Sequence, residues 1–337
     1  MFATPAIACF TLMLSRMKTS RFLLSVALLL PATAPALVIT FDYTYDTGGF
    51  FSNPAAKAAL EAAAADISSV LGNTTLGALQ SSYAGSHGSA NATLSWQAGI
   101  KHPTTGGALA LLPPLAANVF TIYVGAQPLS GGTLGQGGPA GLSYGINGST
   151  GSQADWDAAV NAAANAASAG LTRGGGPIIG TTTGGVSFGL LAGNLWFDND
   201  NSAKWHFDHT TAVASDAYDF YSVALHEILH TLGYGIGDTW EALSAGGVWS
   251  GLSAAGVSID DGHLASGTQG ESITGSGMQD AVMTPSIANG VRKYLTDLDL
   301  AILGDLGYTV GVIPEPAAVA WMAALAIMAV VLTCRRR

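Results

Sequence analysis

The sequence predicts an α+β fold: a twisted mixed β-sheet with a backing helix and a site-bearing helix, then a smaller, irregular C-terminal part with a final helix. Three observations predict it. Strand and helix patterns alternate through the first two thirds of the chain, an apolar helix near residue 225 carries closely spaced histidines, and the Gly-rich region after residue 233 contains one further clear helical pattern.

The N-terminal elements follow from hydrophobic periodicity and from helix signals. Apolar and polar residues alternate over residues 38–45, which predicts a strand. Asn53-Pro54 begins an Ala-rich helix that is predicted to end near Leu71, before Gly72. The remaining predicted elements are strands at residues 92–100, 119–124 and 186–197, a helix at 155–169, and surface loops at 129–152 and 173–185. The second and third of these strands are apolar enough to be central.

The site-bearing helix is predicted over residues 217–232. Ser215 and Asp216 are suitable N-cap residues, and Gly233 can adopt the left-handed conformation that ends a helix. Most of its circumference is predicted to be buried, on the basis of Phe220, Val223, Leu225, Ile228, Leu229 and Leu232.

After this helix, the last predicted element is a helix over residues 296–306 that ends at Gly307. We therefore expect residues 37–233 to form an N-terminal catalytic subdomain and residues 234–311 to form a C-terminal subdomain.

Residues 226–230 read His-Glu-Ile-Leu-His, the HExxH signature of zinc-dependent peptidases. Residues four apart lie on the same face of a helix, so His226 and His230 can bind one ion together. Glu227 lies beside that ion without binding it. The motif predicts a zinc ion held by both histidines, with Glu227 as the general base toward water.

A catalytic zinc site needs a third protein ligand. In the extended metzincin motif HExxHxxGxxH this ligand is a histidine, but Ile236 occupies that position here. We expect His263 to be the third ligand because it follows the helix, lies in the polar turn Asp260-Asp261-Gly262-His263 and precedes a Met-containing turn. Asp238 and His209 remain as alternatives.

That later turn is Ala281-Val282-Met283-Thr284-Pro285. With Gly233, His263, Met283 and Pro285 in this order after HExxH, the chain resembles the leishmanolysin-like metzincin proteases of exported bacterial type. The resemblance implies a metzincin-like fold and a zinc endopeptidase that cleaves protein or peptide substrates. It also implies that Met283 packs beneath the metal and is not a ligand. The donor to the tetrahedral oxyanion is not evident; Tyr294 is a weak candidate.

Two other polar clusters have less specific patterns. Asp198-Asn199-Asp200-Asn201 supplies oxygen ligands of the kind that Ca²⁺ prefers, but such residues form turns without a metal, and a turn is the favoured interpretation. His206 and His209 have HxxH spacing without a second pair nearby, so a structural role is favoured over a second zinc site.

Residues 1–36 are predicted to be a signal peptide. Translation is expected to begin at Met17, with Lys18 and Arg21 as the positive region and residues 22–30 as the apolar core. The motif Ala34-Pro35-Ala36 then provides a cleavage site before Leu37.

Residues 312–337 combine Pro314-Glu315-Pro316, the uncharged run 317–334 and three terminal arginines. The run is 18 residues long and would span about 27 Å as a helix, just enough for a bilayer, so a plain membrane anchor is one interpretation. The three-part pattern resembles the PEP-CTERM sorting signal, which we favour. This resemblance implies an exosortase-type sorting protease as a partner and a bacterial protein at the cell surface or outside the cell, in contact with the membrane only through this tail.

The body from residue 37 to about 313 contains no cysteine, so disulfides cannot stabilise it. Its six basic and twenty-one acidic residues give a formal charge of −15, which argues against nucleic-acid binding. Two other function classes remain: a non-catalytic surface adhesin on a metzincin-like fold, and a structural protein of an exported matrix. Neither requires Glu227.

Overall fold

The structure is a computed structural model that describes residues 37–72, 74–112, 116–174 and 176–311. The helices in these residues are α1 (Pro54–Val70), α2 (Gln153–Leu171), α3 (Phe220–Thr231), α4 (Asp238–Ser244), α5 (Asp297–Asp305) and a short 3₁₀ helix (Phe50–Ser52). The strands of the first part are β1 (Val38–Asp42), β2 (Ser82–His87), β3 (Ala90–Lys101), β4 (Ala108–Leu111), β5 (Val119–Gln127), β6 (Gly135–Pro139) and β7 (Gly141–Ser149). The later strands are β8 (Gly180–Thr181), β9 (Ser187–Phe188), β10 (Gly193–Asp198), β11 (Trp205–His206), β12 (Tyr218–Asp219), β13 (Ile259–Asp260), β14 (His263–Leu264), β15 (Gln269–Glu271) and β16 (Met278–Asp280).

The main sheet has the strand order β1-β5-β10-β6. β1, β5 and β10 run parallel, whereas β6 pairs antiparallel with β10 and forms an edge of the sheet. β5 and β10 are buried along almost their whole length, as expected for parallel strands that are covered on both faces. The fold is therefore mixed α+β, as predicted.

A second, antiparallel sheet is built around β3. β7 pairs along one edge of β3, and β2 and then β4 pair along the other edge. Every second residue of β3, from Ala90 to Ile100, is buried, which is the period of a strand with one face against the core. Helix α2 packs on β2 and β3.

Helix α3 contacts helix α1 and strands β6 and β10 of the main sheet. Gly193 of β10 permits this packing, because a Cβ at that position would lie 2.8 Å from the Thr231 side chain. All six apolar side chains of the predicted helix are buried, at 5% exposure or less. The helix that bears the HExxH motif is thus part of the core.

The structure corrects several predicted boundaries. The predicted strand 186–197 is interrupted, since β9 and β10 are separated by residues 189–192, where the Gly189 N–H bonds to Leu171. The predicted loop 129–152 contains β6 and β7, because strand partners far away in the sequence satisfy the backbone of this Gly-rich segment. The predicted helix 217–232 begins only at Phe220, since residues 218–219 pair with β11.

The C-terminal part is mostly irregular, as predicted, but it begins with helix α4, which the sequence analysis did not predict; short two-stranded hairpins and then α5 follow. Thr296 caps α5 through a capping box with Asp299, and the helix ends at Asp305, close to the predicted boundary. All residues described belong to one unit of contacts, so the division at residue 233 stays a prediction. Both predicted tails, residues 1–36 and 312–337, lie outside the described residues; among those described, no helix is long and apolar enough to cross a bilayer.

Candidate metal centre

Helix α3 is anchored at its N-terminus by a buried carboxylate. Asp219, and not the predicted Ser215 or Asp216, is the N-cap: its Oδ2 accepts from the Ser222 N–H at 3.1 Å and from the Ser222 hydroxyl at 2.6 Å. Asp219 also forms a buried ion pair with Arg292, whose Nη2 lies 2.7 Å from Oδ1. At the other end, Gly233 has a φ of 92°, so it ends the helix in the left-handed conformation, as predicted.

Three imidazoles converge beside this helix. The Nε2 atoms of His226, His230 and His263 lie 3.1 Å from one another in all three pairs. Each Nδ1 donates to a backbone carbonyl: His226 to Val282 at 2.9 Å, His230 to Tyr234 at 2.7 Å, and His263 to Asp261 at 3.0 Å.

These hydrogen bonds set the tautomers of the three rings. A carbonyl oxygen only accepts, so each Nδ1 carries the ring proton and each neutral ring directs an unprotonated Nε2 at the other two. Three lone pairs at 3.1 Å repel one another, and a cation between them removes the repulsion. Tetrahedral Zn–N bonds of 2.0–2.1 Å place ligand nitrogens about 3.3 Å apart, which is close to the observed spacing. The three residues therefore fit a metal ion.

His263 reaches the other two histidines through a tight hairpin. Asp261 and Gly262 connect β13 to β14, and both have positive φ, of 42° and 81°, the conformation that a two-residue Asp-Gly turn favours. The hairpin packs against the chain that leaves α3, since a side chain at Gly235 would collide with the Gly262 carbonyl. The Leu264 N–H then bonds to the Met283 carbonyl at 2.9 Å.

The turn at Met283 is held by a second buried carboxylate. Asp299 accepts from the Val282 N–H at 3.0 Å and from the Met283 N–H at 3.2 Å, and from both the N–H and the hydroxyl of Thr296. The Val282–Met283 peptide thus donates to Asp299 and accepts from His226. Met283 is fully buried, and the carbonyl of the residue before it accepts the hydrogen bond from His226; that Met283 packs beneath a metal stays a prediction.

A buried lysine forms hydrogen bonds to three residues of the same turn. Lys293 is 5% exposed, and its Nζ donates to the Thr284 hydroxyl at 2.6 Å and to the carbonyls of Ser286 at 2.7 Å and Ala281 at 3.4 Å. The backbone N–H of Lys293 also bonds to Ser222 of α3 at 2.8 Å. The turn and the helix are therefore connected by polar side chains.

Glu227 projects between the helix and the edge strand β6. Two glycines make room for it: a Cβ at Gly135 would lie 2.8 Å from Glu227 Cγ, and a Cβ at Gly137 would collide with the Glu227 carbonyl. Glycine is required here because the strand backbone approaches the helix closely. The edge strand thus forms the wall that faces the Glu227 carboxylate.

Burial shifts the pKa values of this site strongly. Loss of hydration raises the pKa of Glu227 to about 8, although an N–H of Gly137 that bonds to the carboxylate acts in the opposite direction. Desolvation lowers the pKa of His230 to about 4, opposed by its bond to Tyr234 and helped by His263, and lowers that of His226 well below its usual value. Both helix histidines are therefore neutral at pH 7, the form that binds a metal.

Two adjoining cavities open on this site. A cleft of about 620 Å³ extends over His226, Glu227, His230 and His263, between β6 and the chain at Ile236. A smaller pocket of about 270 Å³ lies between α3 and the turn at residues 281–286, and shares His226, Glu227 and Pro285 with the cleft. The site therefore has both an open groove and a side pocket beside Glu227.

The structure does not bring the other candidate residues to this centre. Among the described residues, the one group of three or more metal-ligating side chains is His226, His230 and His263, which excludes Asp238 and His209 from it. Asp198 and Asp200 likewise belong to no such group; they accept turn hydrogen bonds from Asp200 N and Ser202 N. His206 bonds to the Asp208 carbonyl, and Tyr294 lines neither cavity.

The sequence analysis missed three polar residues that hold the site: Asp299 and Lys293 at the turn, and Arg292 at the N-cap of α3. Asp299 is at the N3 position of α5, where its capping role was a detectable signal. Its second role, toward residues 282 and 283, depends on tertiary contacts.

No protein-family model matches the chain, and no curated protein or solved structure matches it either. The leishmanolysin-like resemblance stays a prediction that depends on the motif residues.

Proposed function

We propose that this protein is a secreted zinc-dependent endopeptidase whose metal is held by His226, His230 and His263. The observation that carries the proposal is the convergence of three unprotonated Nε2 atoms at 3.1 Å beside a buried glutamate. A structural zinc site usually has four protein ligands, whereas three ligands with an open cleft are typical of catalytic sites.

Zinc bound there supplies Lewis acidity toward a substrate carbonyl and lowers the pKa of coordinated water to about 7. Glu227 is the proton acceptor in the proposed reaction. Its pKa is raised to about 8 by burial, and a nearby cation lowers the pKa of a carboxylate, so Glu227 can take a proton from water and release it to the leaving amine. The peptide C–N bond breaks as the new C–O bond is completed, and the amine leaves protonated.

The edge strand β6 supports a peptide as the substrate. Within the described part of the chain, β6 has a partner, β10, on one side only, and Gly135, Gln136 and Gly137 line the cleft. An extended peptide can add to a free strand edge through backbone hydrogen bonds, which places its chain across the metal centre. Such binding is largely independent of sequence, as a general endopeptidase requires.

The test measures zinc content and casein hydrolysis for the purified protein and for two variants. We expect the wild type to hold one zinc ion and cleave. Glu227→Gln is expected to retain zinc but lose activity, because the amide cannot accept the proton. His263→Ala is expected to lose both zinc and activity, whereas His209→Ala, a control outside the centre, keeps both.

A wild type that binds no zinc, or a Glu227→Gln variant that cleaves as fast as the wild type, would contradict the proposal and favour a non-catalytic surface protein. If His263→Ala binds zinc as tightly as the wild type, the ligand set is wrong although the activity stands. Thermal unfolding of each variant in the absence of metal shows whether it is folded.

A further inference from the structure

The pocket of about 270 Å³ beside Glu227 contains a charge that the proposed reaction does not use. Of its lining residues, Lys293 is the one basic residue and Glu227 the one acidic residue. Lys293 lines this pocket, and its Nζ bonds to Thr284 and Ser286, which line the pocket too. Since Glu227 serves the scissile bond, the charge available to a substrate side chain is that of Lys293.

In the part of the chain that the structure describes, the charge of Lys293 has no direct counterion, and the carboxylates of Asp280 and Asp299 act on it only from beyond salt-bridge distance. The three hydrogen-bond acceptors of Lys293 are a hydroxyl and two carbonyls, and within the described residues it forms no salt bridge at 4.0 Å or less. Arg292, the adjacent residue, is paired directly with Asp219. A buried cation with neutral partners interacts more strongly with an incoming anion than an exposed one does, because water screens it less.

We propose that this pocket binds an acidic side chain of the substrate, next to the scissile bond, and that Lys293 is the residue that recognises it. Ser286 on the pocket wall can donate to a carboxylate, and the apolar residues Leu134, Val223 and Ile287 suit its methylene groups. The preference is local, since the body of the chain is strongly acidic and repels acidic peptides at longer range. The inference rests on the proposed function.

The experiment compares kcat/KM for peptide pairs that differ by Glu or Gln at one of the two residues flanking the cleaved bond. Wild type is expected to prefer Glu over Gln by at least about tenfold at one of these positions, the effect of roughly one kept ion pair in a poorly solvated site. In Lys293→Met the ratio is expected to fall to about one, and Lys293→Arg should restore most of it. Lys204→Met makes the same charge change at an exposed site and should leave the ratio as in wild type.

The possible results separate the two proposals. If no peptide is cleaved, including the Gln peptides, the proposed function itself fails. If wild type cleaves Glu and Gln peptides equally well, or if folded Lys293→Met keeps the preference, the specificity inference is wrong while the peptidase stands. Lys293 also holds the turn, so Lys293→Met can fail to fold; the wild-type ratio of Glu to Gln peptides then decides, and a ratio of about one would overturn the inference.

Discussion

The two sides of the metal centre are held in place by different interactions. On the helix side, α3 and β6 position His226, His230 and Glu227 through apolar burial and close backbone packing. On the other side, residues 259–299 have little regular structure, and buried charged side chains hold their backbone. The comparison shows that one ligand set is built by two means: regular secondary structure where local sequence suffices, and polar bonds where it does not.

The largest expected effect is at Asp299, on the polar side. Asp299→Ala leaves four buried donors without their acceptor, and we expect a loss of about 4 kcal/mol or more in the free energy of unfolding, with weaker zinc binding. Urea unfolding and zinc titration measure both. The matched control is Asp297→Ala, an exposed residue in the same helical turn, for which we expect about 1 kcal/mol or less. Equal losses of stability in the two variants would show that the buried carboxylate of Asp299 contributes no more than the exposed carboxylate of Asp297.

The second largest loss of stability is expected for a substitution of Arg292, also on the polar side. Arg292→Ala leaves the carboxylate of Asp219 buried without its partner and removes bonds to the carbonyls of His209 and Thr211, so we expect a loss of about 3 kcal/mol in stability. The exposed pair Lys204–Asp216 provides the comparison: Lys204→Ala should change stability by less than about 1 kcal/mol. Chemical denaturation of both variants tests the difference, and a small effect at Arg292 would show that the capping bonds alone hold Asp219.

On the helix side, close packing is tested at β6. Gly137→Ala places a methyl group against the Glu227 carbonyl, so the strand must move away from α3, and we expect a loss of about 2 kcal/mol and of most activity. Gly138→Ala is the control on the same strand, where the new Cβ would lie 3.5 Å from the Ile236 side chain, an ordinary contact. If both variants behave as wild type in thermal unfolding and hydrolysis, the close packing of β6 against α3 is not needed for stability or activity.

The smallest expected effect is the pH dependence of the metal-free protein. Glu227 has its pKa raised from 4.5 to about 8, so the folded state binds more protons than the unfolded state between these values and stability falls as the pH rises through them. The lowered pKa values of His226 and His230 act in the opposite direction, but only below pH 6.5. Between pH 6.5 and 8 we therefore expect a loss of roughly 1–2 kcal/mol from Glu227.

Thermal unfolding of the chelated protein at these two pH values measures this loss. Glu227→Gln has no group to titrate there, so its stability should be the same at both values. If the stability of Glu227→Gln still falls with rising pH as in wild type, another titrating group causes the pH dependence.

The sequence by itself determined the elements whose signals are local. The caps and alanines of α1, the alternation along β3, the Thr296 start of α5 and the HExxH spacing on α3 all depend on residues a few positions apart, and the structure confirms each of them. The same is true of Gly233, where only the backbone conformation at the helix end matters.

Tertiary structure decided the rest. β6 and β7 have weak strand signals and form because distant strands complete their hydrogen bonds, and Asp219 became the N-cap because residues 218–219 pair with β11 and Arg292 compensates the buried charge. The sequence predicted His263 as the third ligand from its order and turn residues, but its convergence with His226 requires the Asp261-Gly262 turn, the Gly235 contact and the Met283 carbonyl together. Buried polar partners are chosen by three-dimensional proximity, and a linear pattern of residues contains no such distances.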